Sequence, residues 1–506
     1  MQKRQLVAKQ YDAIIIGAGN GGLMAALKLL QNNYSVLILE RHNVPGGDAS
    51  SFKRGRFEFD VNLDHLHDVG QDGILKQIWN ELDIYSNINW IDINAGFKYV
   101  NDNFNYQLVL DQEQFIIDML KFDPQCEYGL RQLFSLGNEA NNAYKYLINH
   151  LETKQETLMN MFPNFFKYLN KSASFVLDKL KITGIVRDII NAYWLYLGCD
   201  LNFLSFNAFA SAFSQYINKQ TKIAKKRAHE ISVKLEQKIR NMGGEVWYNT
   251  SVSEILFDFN NHACGVLTAN KKEIKAKVII ADINPHYVFS SLIAPNHLDK
   301  NILNLLNNQQ LSFSNFHVYL GLNKRPNEMG INHCSYVLSD TSDYNKQLIN
   351  LKNLNTNQTL TAQCLTVLDP KASQEGSAIV RLSTYFNAHA WDQVKVNEYF
   401  KTKEAIAKAL IKAYEQKTKA TLTPYIEDVE IASAISYAHF TNALNGTNNG
   451  YKLPLEVFDN QFSYNNLIPN LFFVGKSVSL IPTHAGSYLS GWTNGIKVVN
   501  YLKGKK

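Results

Sequence analysis

The sequence predicts an α/β protein organised around a Rossmann-type dinucleotide-binding unit. Three observations carry that expectation. Tyr11 to Ile16 (YDAIII) is a short β-branched run of the kind buried in a parallel sheet. Gly17-Ala18-Gly19-Asn20-Gly21-Gly22 follows at once as G-x-G-x-x-G, with Leu23, Leu27 and Leu30 at helical spacing behind it. A second apolar run, Val36 to Leu39, closes on Glu40, about 20 residues after the glycines.

Each part has a physical task. Gly17 permits the tight turn, Gly19 lets the backbone approach a pyrophosphate, and Gly22 lets the helix pack close to the strand. The helix start, from Asn20 and Gly21 onward, offers free N–H groups to phosphate. Glu40 is placed to accept hydrogen bonds from the ribose hydroxyls.

Composition narrows the class. The chain has 506 residues, 45% of them hydrophobic and 19% charged, which excludes global disorder. Lys+Arg less Asp+Glu is 51 − 45 = +6, too diffuse for a dedicated nucleic-acid binder. The five cysteines, Cys126, Cys199, Cys264, Cys334 and Cys364, are scattered and never in CxxC spacing. No disulfide framework or structural metal site is expected, and a reducing cytoplasm fits best. The opening MQKRQLVAKQ carries no apolar signal region. No run approaches the roughly 18 apolar residues of a membrane span. A soluble or membrane-surface protein is expected.

A second set of motifs names the cofactor. After Glu40 come Arg41, then Pro45-Gly46-Gly47-Asp48-Ala49-Ser50-Ser51-Phe52, and later Phe57-Glu58-Phe59-Asp60. Near the far end stand Pro469-Asn470-Leu471-Phe472-Phe473-Val474-Gly475 and Tyr488-Leu489-Ser490-Gly491-Trp492. This combination resembles the phytoene desaturase, carotenoid isomerase and retinol saturase family of flavoproteins. The resemblance implies non-covalent FAD in a discontinuous Rossmann-type domain of the GR2-like kind. It implies cofactor contacts from Gly17, Gly19, Asn20, Gly21, Gly22, Glu40, Arg41, Gly46, Gly47, Asp48, Ala49, Ser50, Ser51, Val252, Gly475, Lys476, Leu489 and Ser490. One departure stands out: the family's Asp after Gly475 is Lys476 here. Lys476 is expected either to reach a phosphate or flavin carbonyl, or to be an ordinary surface lysine.

The middle of the chain follows the same plan. Ile231, Leu235 and Ile239 mark an amphipathic helix that stops at Gly243-Gly244. Glu245 to Ile255 reads as strand, turn, strand; Gly265-Val266-Leu267 and Val278 to Asp282 read as further strands. The basic group Lys225-Lys226-Arg227 reads as a solvated helix start. The expected cofactor domain is therefore 1–85, 215–300 and 430–506. Residues 86–214 form a helical lid or substrate region, and 301–429 an antiparallel-sheet substrate domain. In the latter, Phe316–Leu320, Tyr336–Leu338, Leu365–Leu368 and Ile379–Leu382 read as strands, and Ile406, Leu410 and Tyr414 as one helix face. The stretch 161–216 is rich in aromatics, among them Phe162, Phe165, Phe166, Tyr193, Trp194, Tyr196, Phe206, Phe209 and Phe213. It reads either as a plain aromatic core or as an apolar tunnel or membrane-dipping lid.

Candidate proton carriers are His65 and His67 in Asp64-His65-Leu66-His67-Asp68, with Thr483-His484 as a further local candidate. The competing reading is structural histidines bonded to backbone carbonyls. Two His at i and i+2 point oppositely on a strand, so no metal is expected. The function implied is an FAD-dependent oxidoreductase (CH-CH donors) or flavin-dependent isomerase. Its substrate would be a long lipophilic molecule such as a carotenoid, retinoid or fatty acid, with peripheral membrane contact as an accompanying expectation. Two alternatives share the scaffold: a non-catalytic lipid- or prenyl-binding protein, and a flavin amine oxidase. No cysteine follows Cys364, which disfavours covalent flavin in the latter.

Overall fold

The computed structural model describes residues 10–355, 359–452, 464–479 and 481–504; the opening segment read above lies mostly outside them. Two seven-stranded sheets organise the chain. The first has a parallel heart. Tyr11–Ile16 pairs with Val36–Leu39 on one side and with Glu273–Ala281 on the other, and Glu245–Trp247 extends it beyond Val36–Leu39. Leu471–Phe473 adds beyond Glu273–Ala281. The long strand Glu273–Ala281 serves twice. Its first half pairs antiparallel with Ala263–Thr268, which in turn pairs with Val252–Phe257.

Side-chain alternation explains why the inner runs of these strands, Ala13–Ile16, Val36–Leu39 and Val278–Ala281, are apolar. Ala13 and Ile15 face the helices Asn20–Leu30, Arg227–Asn241 and His484–Leu502, while Ile14 and Ile16 face a second core with Val252, Ile255, Val266 and Phe289. With both faces covered, polar residues such as Asp12, Lys275 and Lys277 are confined to the stretches of strand ahead of those runs. The predicted amphipathic helix is Arg227–Asn241, with Ile231, Leu235 and Ile239 fully buried. Its start corrects the sequence reading. Arg227 is 4% exposed, donates to the carbonyls of Glu58 and Ala372, and faces Asp60 at 4.0 Å. A buried carboxylate and two carbonyls hold it, not solvent.

The second sheet runs Ile426–Ala432, Phe313–Leu322, Ala378–Asn387, Leu360–Gln363, Ser335–Leu338, Lys98–Val100, Asn105–Gln107. It is antiparallel except between Ser335–Leu338 and Lys98–Val100. Helix Tyr399–Thr418 covers one face through Ile406, Leu410 and Tyr414. The sheet recruits two strands from the 86–214 stretch, and its edge strand Ile426–Ala432 straddles residue 430. Leu365–Val367 is a 3₁₀ turn, with the strand just before it at Leu360–Gln363. The apolar run Leu365–Leu368 therefore curls instead of extending, and Asp369 accepts the Lys371 N–H to cap the next turn, Pro370–Ala372.

The rest of 86–214 is mainly helical. Tyr193, Trp194, Phe206, Phe209 and Phe213 are fully buried in one core with Phe115 and Phe134. Their rings stack on one another, as Phe209 and Phe213 do at 5.9 Å. These aromatics pack a core; they fill space where the tunnel reading would have them line it.

Candidate functional site

The carboxyl ends of the parallel strands gather the loops that matter. Ile16 leads into the glycine loop, Leu39 into Glu40, Ala281 into Asp282, and Phe473 into Gly475-Lys476. Ligands of open α/β sheets bind at this edge. A cavity of about 610 Å³ lies there, within the range of small-molecule sites. Gly17, Gly19, Asn20, Glu40, Arg41, Gly46, Gly47, Asp48, Ser50, Ser51, Val252 and Lys476, all among the residues read above as cofactor contacts, line it.

The two glycine signatures meet. Gly46 donates to the Ala18 carbonyl at 2.8 Å and forms a parallel bridge with Gly19. The helix Asn20–Leu30 has no side-chain cap at Gly19; Asp282 takes its Gly22 N–H, and the start of the helix, at Asn20, faces the cavity as an anion site. Glu40 accepts from Ala18 N–H at 2.7 Å and from His42 N–H at 2.8 Å, one bond to each oxygen. Each oxygen keeps a second lone pair for a ribose hydroxyl. These features fit an adenine dinucleotide.

Other expected contacts are placed differently. Gly21, Gly22, Ala49, Gly475, Leu489 and Ser490 are absent from the cavity wall. Gly21 and Gly491 instead let the helices Asn20–Leu30 and His484–Leu502 touch, since a Cβ on Gly491 would strike the Gly21 carbonyl. Leu489 joins the core beneath the sheet, and Ser490 lies one step along the same buried helix. Ser487, three residues earlier than Ser490, is the part of that helix that reaches the cavity. Ala49 is fully buried beside Leu63 and Ala228.

Arg41 is committed elsewhere. Its guanidinium donates to Asn442 Oδ1 at 2.6 Å, to the His439 carbonyl at 2.9 Å and to the Phe440 carbonyl. It therefore closes the C-terminus of the helix Ala434–Thr441, which forms part of the cavity wall through Ser436, Tyr437 and Phe440.

Lys476 is not a surface lysine. Its side chain is 13% exposed, and Nζ donates to Asn448 Oδ1 at 2.8 Å and to Asp48 Oδ2 at 3.4 Å. Burial resists ionisation of Asp48, yet Lys476 and then His484 outweigh it and hold its pKa below the ordinary value.

Sequence reasoning missed Asp282. Its Oδ2 accepts the Gly22 N–H at 2.7 Å, and it sits against Gly19, Gly21 and Gly475. Burial first, then the nearby Glu40 and Asp48 charges, push its pKa up to about 8 against the opposing amides. The rule that picked out Glu40, an acid at the end of a parallel strand, applies equally to Asp282. The aromatic wall was also missed. Phe52 and Tyr319 meet edge to face at 4.9 Å, and Tyr319 and Tyr437 both donate to the Val61 carbonyl.

His65 and His67 lie behind Lys476. They line a second, small cavity of about 30 Å³ with His484, Tyr196 and Tyr385; Lys476 and Asn448 belong to both cavities. The segment is not a strand, so the two imidazoles do not diverge as expected: their centroids are 5.0 Å apart. No metal cluster occurs among the described residues. His67 Nε2 and Tyr193 OH share a 2.7 Å hydrogen bond, while His65 stacks on Tyr216 with its Nε2 unpartnered. Burial drives His65 down to about 3 and His67 well below its ordinary value, so both are neutral at pH 7.

Comparisons with known proteins agree with this geometry. Residues 15–82 match the model of an NAD(P)-binding Rossmann-like domain. Prolycopene isomerase 2 from an Oncidium hybrid cultivar is 24% identical over 461 residues, covering 87% of this chain and 75% of the relative. All-trans-retinol 13,14-reductase from Danio rerio is 21% identical over 530 residues, 98% of this chain and 87% of the relative. A neurosporene-forming phytoene desaturase from Rhodobacter capsulatus is 23% identical over 290 residues, 56% and 54% of the two chains. Among solved structures, a Methanosarcina mazei oxidoreductase has a TM-score of 0.59 at 13% identity over 96% of this chain and 99% of its own. A putrescine oxidase double mutant has 0.63 at 12% identity, over 97% and 99%. A Rab GDI from Plasmodium falciparum has 0.54 at 14%, over 99% of each. The structural likenesses establish the fold alone, whereas by sequence this chain is similar to prolycopene isomerases, all-trans-retinol 13,14-reductases and phytoene desaturases.

Proposed function

We propose that the protein is an FAD-dependent enzyme that saturates, desaturates or isomerises carbon–carbon double bonds of a long lipophilic substrate. The observation that carries this is the make-up of the large cavity. One part is a dinucleotide cradle of Gly17, Gly19 and Glu40; another is a wall of Phe52, Tyr319 and Tyr437 contributed with the second sheet. A redox cofactor held against an aromatic wall suits an apolar, uncharged reacting group. The relatives' names point to polyene substrates and favour this reading over the non-catalytic one.

Bound FAD would supply hydride transfer, and the protein the positioning. In this reading Glu40 holds the ribose, the uncapped helix start holds the pyrophosphate, and Lys476 with Asn448 stands where the two cavities adjoin. His65 and His67, neutral and enclosed, keep that side dry, His67 through its hydrogen bond to Tyr193; neither carries a spare proton at pH 7. Peripheral membrane contact stays in the proposal because Met159, Met161 and Phe175 are exposed, with Lys171 and Lys179 over the Phe175 ring. No helix among the described residues is long and apolar enough to cross a membrane.

The test has two steps. Purified protein, or protein reconstituted with FAD, should show flavin absorbance, and denaturation should release the flavin intact. Lipid extracts of cells with and without the protein should then differ in one polyene or unsaturated chain. A gain of two hydrogens identifies saturation, a loss desaturation, and equal mass with altered retention isomerisation. A protein that cannot be loaded with flavin contradicts the proposal.

A further inference from the structure

We propose that His484 and Asp48 form a proton-binding site: His484 Nδ1 takes up one solvent proton when negative charge enters the adjoining large cavity. This rests on reading that cavity as a flavin site.

The tautomer is dictated by geometry. His484 Nε2 lies 3.2 Å from the Asn62 carbonyl, which can only accept, so the neutral ring carries its hydrogen on Nε2. Nδ1 is left with a lone pair, and it faces Asp48 Oδ1 across 4.0 Å. Two acceptors thus face each other, while Asp48 takes hydrogen bonds from the Asn62 side chain and from Lys476. A proton on Nδ1 resolves that conflict and makes a charge-assisted pair.

The neighbours set the resting state. Lys476 and the start of the helix His484–Leu502 oppose a positive imidazole, while Asp48 and the more distant Asp64 favour it. Asp64 is itself bound to Arg381 at 2.6 Å. The remaining polar groups at the small cavity are the neutral His65 and His67, Tyr196, Tyr385, Asn62, Asn448 and Thr483. Burial dominates and holds His484 down to about 4. His65 and His67 have no facing carboxylate of this kind, which singles out His484 among the three imidazoles.

Charge arriving nearby changes the balance. One negative charge within about 5 Å raises the proton affinity of a buried group by about two powers of ten. Such a charge raises His484 from its resting value of about 4 toward its ordinary range. The step is formation of one N–H bond at Nδ1 with a proton from water. Electrons come from the external reductant, stay on the cofactor, and no bond in the protein breaks.

The experiment is potentiometric titration of the flavin-loaded protein with dithionite and mediators, across about pH 4 to 8. Wild type should take up one more proton per two electrons than His484→Gln near pH 5. This difference adds about 30 mV per pH unit to the slope of the midpoint potential. Asp48→Asn should lose the extra proton as well, and Lys476→Met should keep it and shift it to higher pH. These two variants carry the test if His484→Gln does not fold. Equal slopes in flavin-loaded wild type and the His484→Gln or Asp48→Asn variant overturn the inference alone. Failure of every form to take up flavin overturns the proposed function with it.

Discussion

Lys476 places its ammonium 3.4 Å from the Asp48 carboxylate, joining the loop after the last parallel strand to the double-glycine loop more than four hundred positions earlier in the chain. The pair is largely enclosed, with side chains 13% and 25% exposed. Removing one partner strands the other, which costs more than the intact pair contributes. Lys476→Met is expected to lower stability by about 1–3 kcal/mol, measured by urea denaturation. Lys476→Met combined with Asp48→Asn should recover most of that loss, as a double-mutant cycle reads directly. The folded pKa of Asp48 is depressed, so its contribution is present above the ordinary carboxylate range and fades as pH falls through the lowered value. Additive losses in the cycle would show that the two groups are independent.

The glycines of the two helices predict two distinct failures. A Cβ on Gly19 would sit 2.5 Å from Asp282 Oδ2, at the cavity wall. Gly19→Val should fold with a modest loss and retain less than about a tenth of wild-type flavin, measured by released absorbance after denaturation. A Cβ on Gly491 would instead meet backbone at Gly21, where nothing flexible can yield. Gly491→Ala should therefore cost stability first, about 2–3 kcal/mol or more, visible in the thermal midpoint of the apoprotein. Full flavin content in Gly19→Val would mean the cofactor lies elsewhere.

How far the sequence reveals the site depends on the range of the interaction. Gly17 to Glu40 is local: strand, turn, helix and strand lie in one short segment, so period and turn chemistry suffice. The aromatic wall of Phe52, Tyr319 and Tyr437 assembles from three distant segments, and no local pattern announces it. Arg227 reads as solvated because basic clusters usually are; its burial depends on Asp60 and on two carbonyls remote in the chain, Glu58 in the strand Phe57–Asp60 and Ala372 in the turn Pro370–Ala372. Leu489 and Ser490 illustrate a register limit. The final helix was anticipated, but which of its residues faces the cavity depends on how Gly491 seats it against Gly21.

Asp282 predicts an unusual pH dependence. Its folded pKa is raised to about 8 by burial and by Glu40 and Asp48, far above its value in an unfolded chain. The folded state therefore binds the proton more tightly. This contribution is complete below the unfolded pKa and is lost as pH rises through the folded one. Asp282→Asn keeps an acceptor for the Gly22 N–H and removes the titration. The variant should gain on wild type with rising pH, by at most about 1.4 kcal/mol per unit, up to about pH 8. Urea midpoints of the apoprotein measured across that range check it. Parallel curves would show that Asp282 is ionised at neutral pH.

Arg41 makes the helix Ala434–Thr441 part of the cavity. Without it, the His439 and Phe440 carbonyls at the helix end lose a cation, and Asn442 loses its donor. His42 Nε2 at 2.8 Å from the Phe440 carbonyl remains, so the helix is expected to loosen without unfolding. Hydrogen bonds to a charged group contribute about 1.5–3 kcal/mol each when enclosed, and less at this partly exposed site. Arg41→Ala should therefore speed flavin dissociation about tenfold, with association changed little, because tight and loose complexes of one site differ mainly in their off-rates. Flavin fluorescence recovery after dilution measures the rate. Arg41→Lys should restore only part of it, since an ammonium cannot span two carbonyls and an amide oxygen with fixed planar geometry. An unchanged off-rate in Arg41→Ala would mean that this wall of the cavity does not control release.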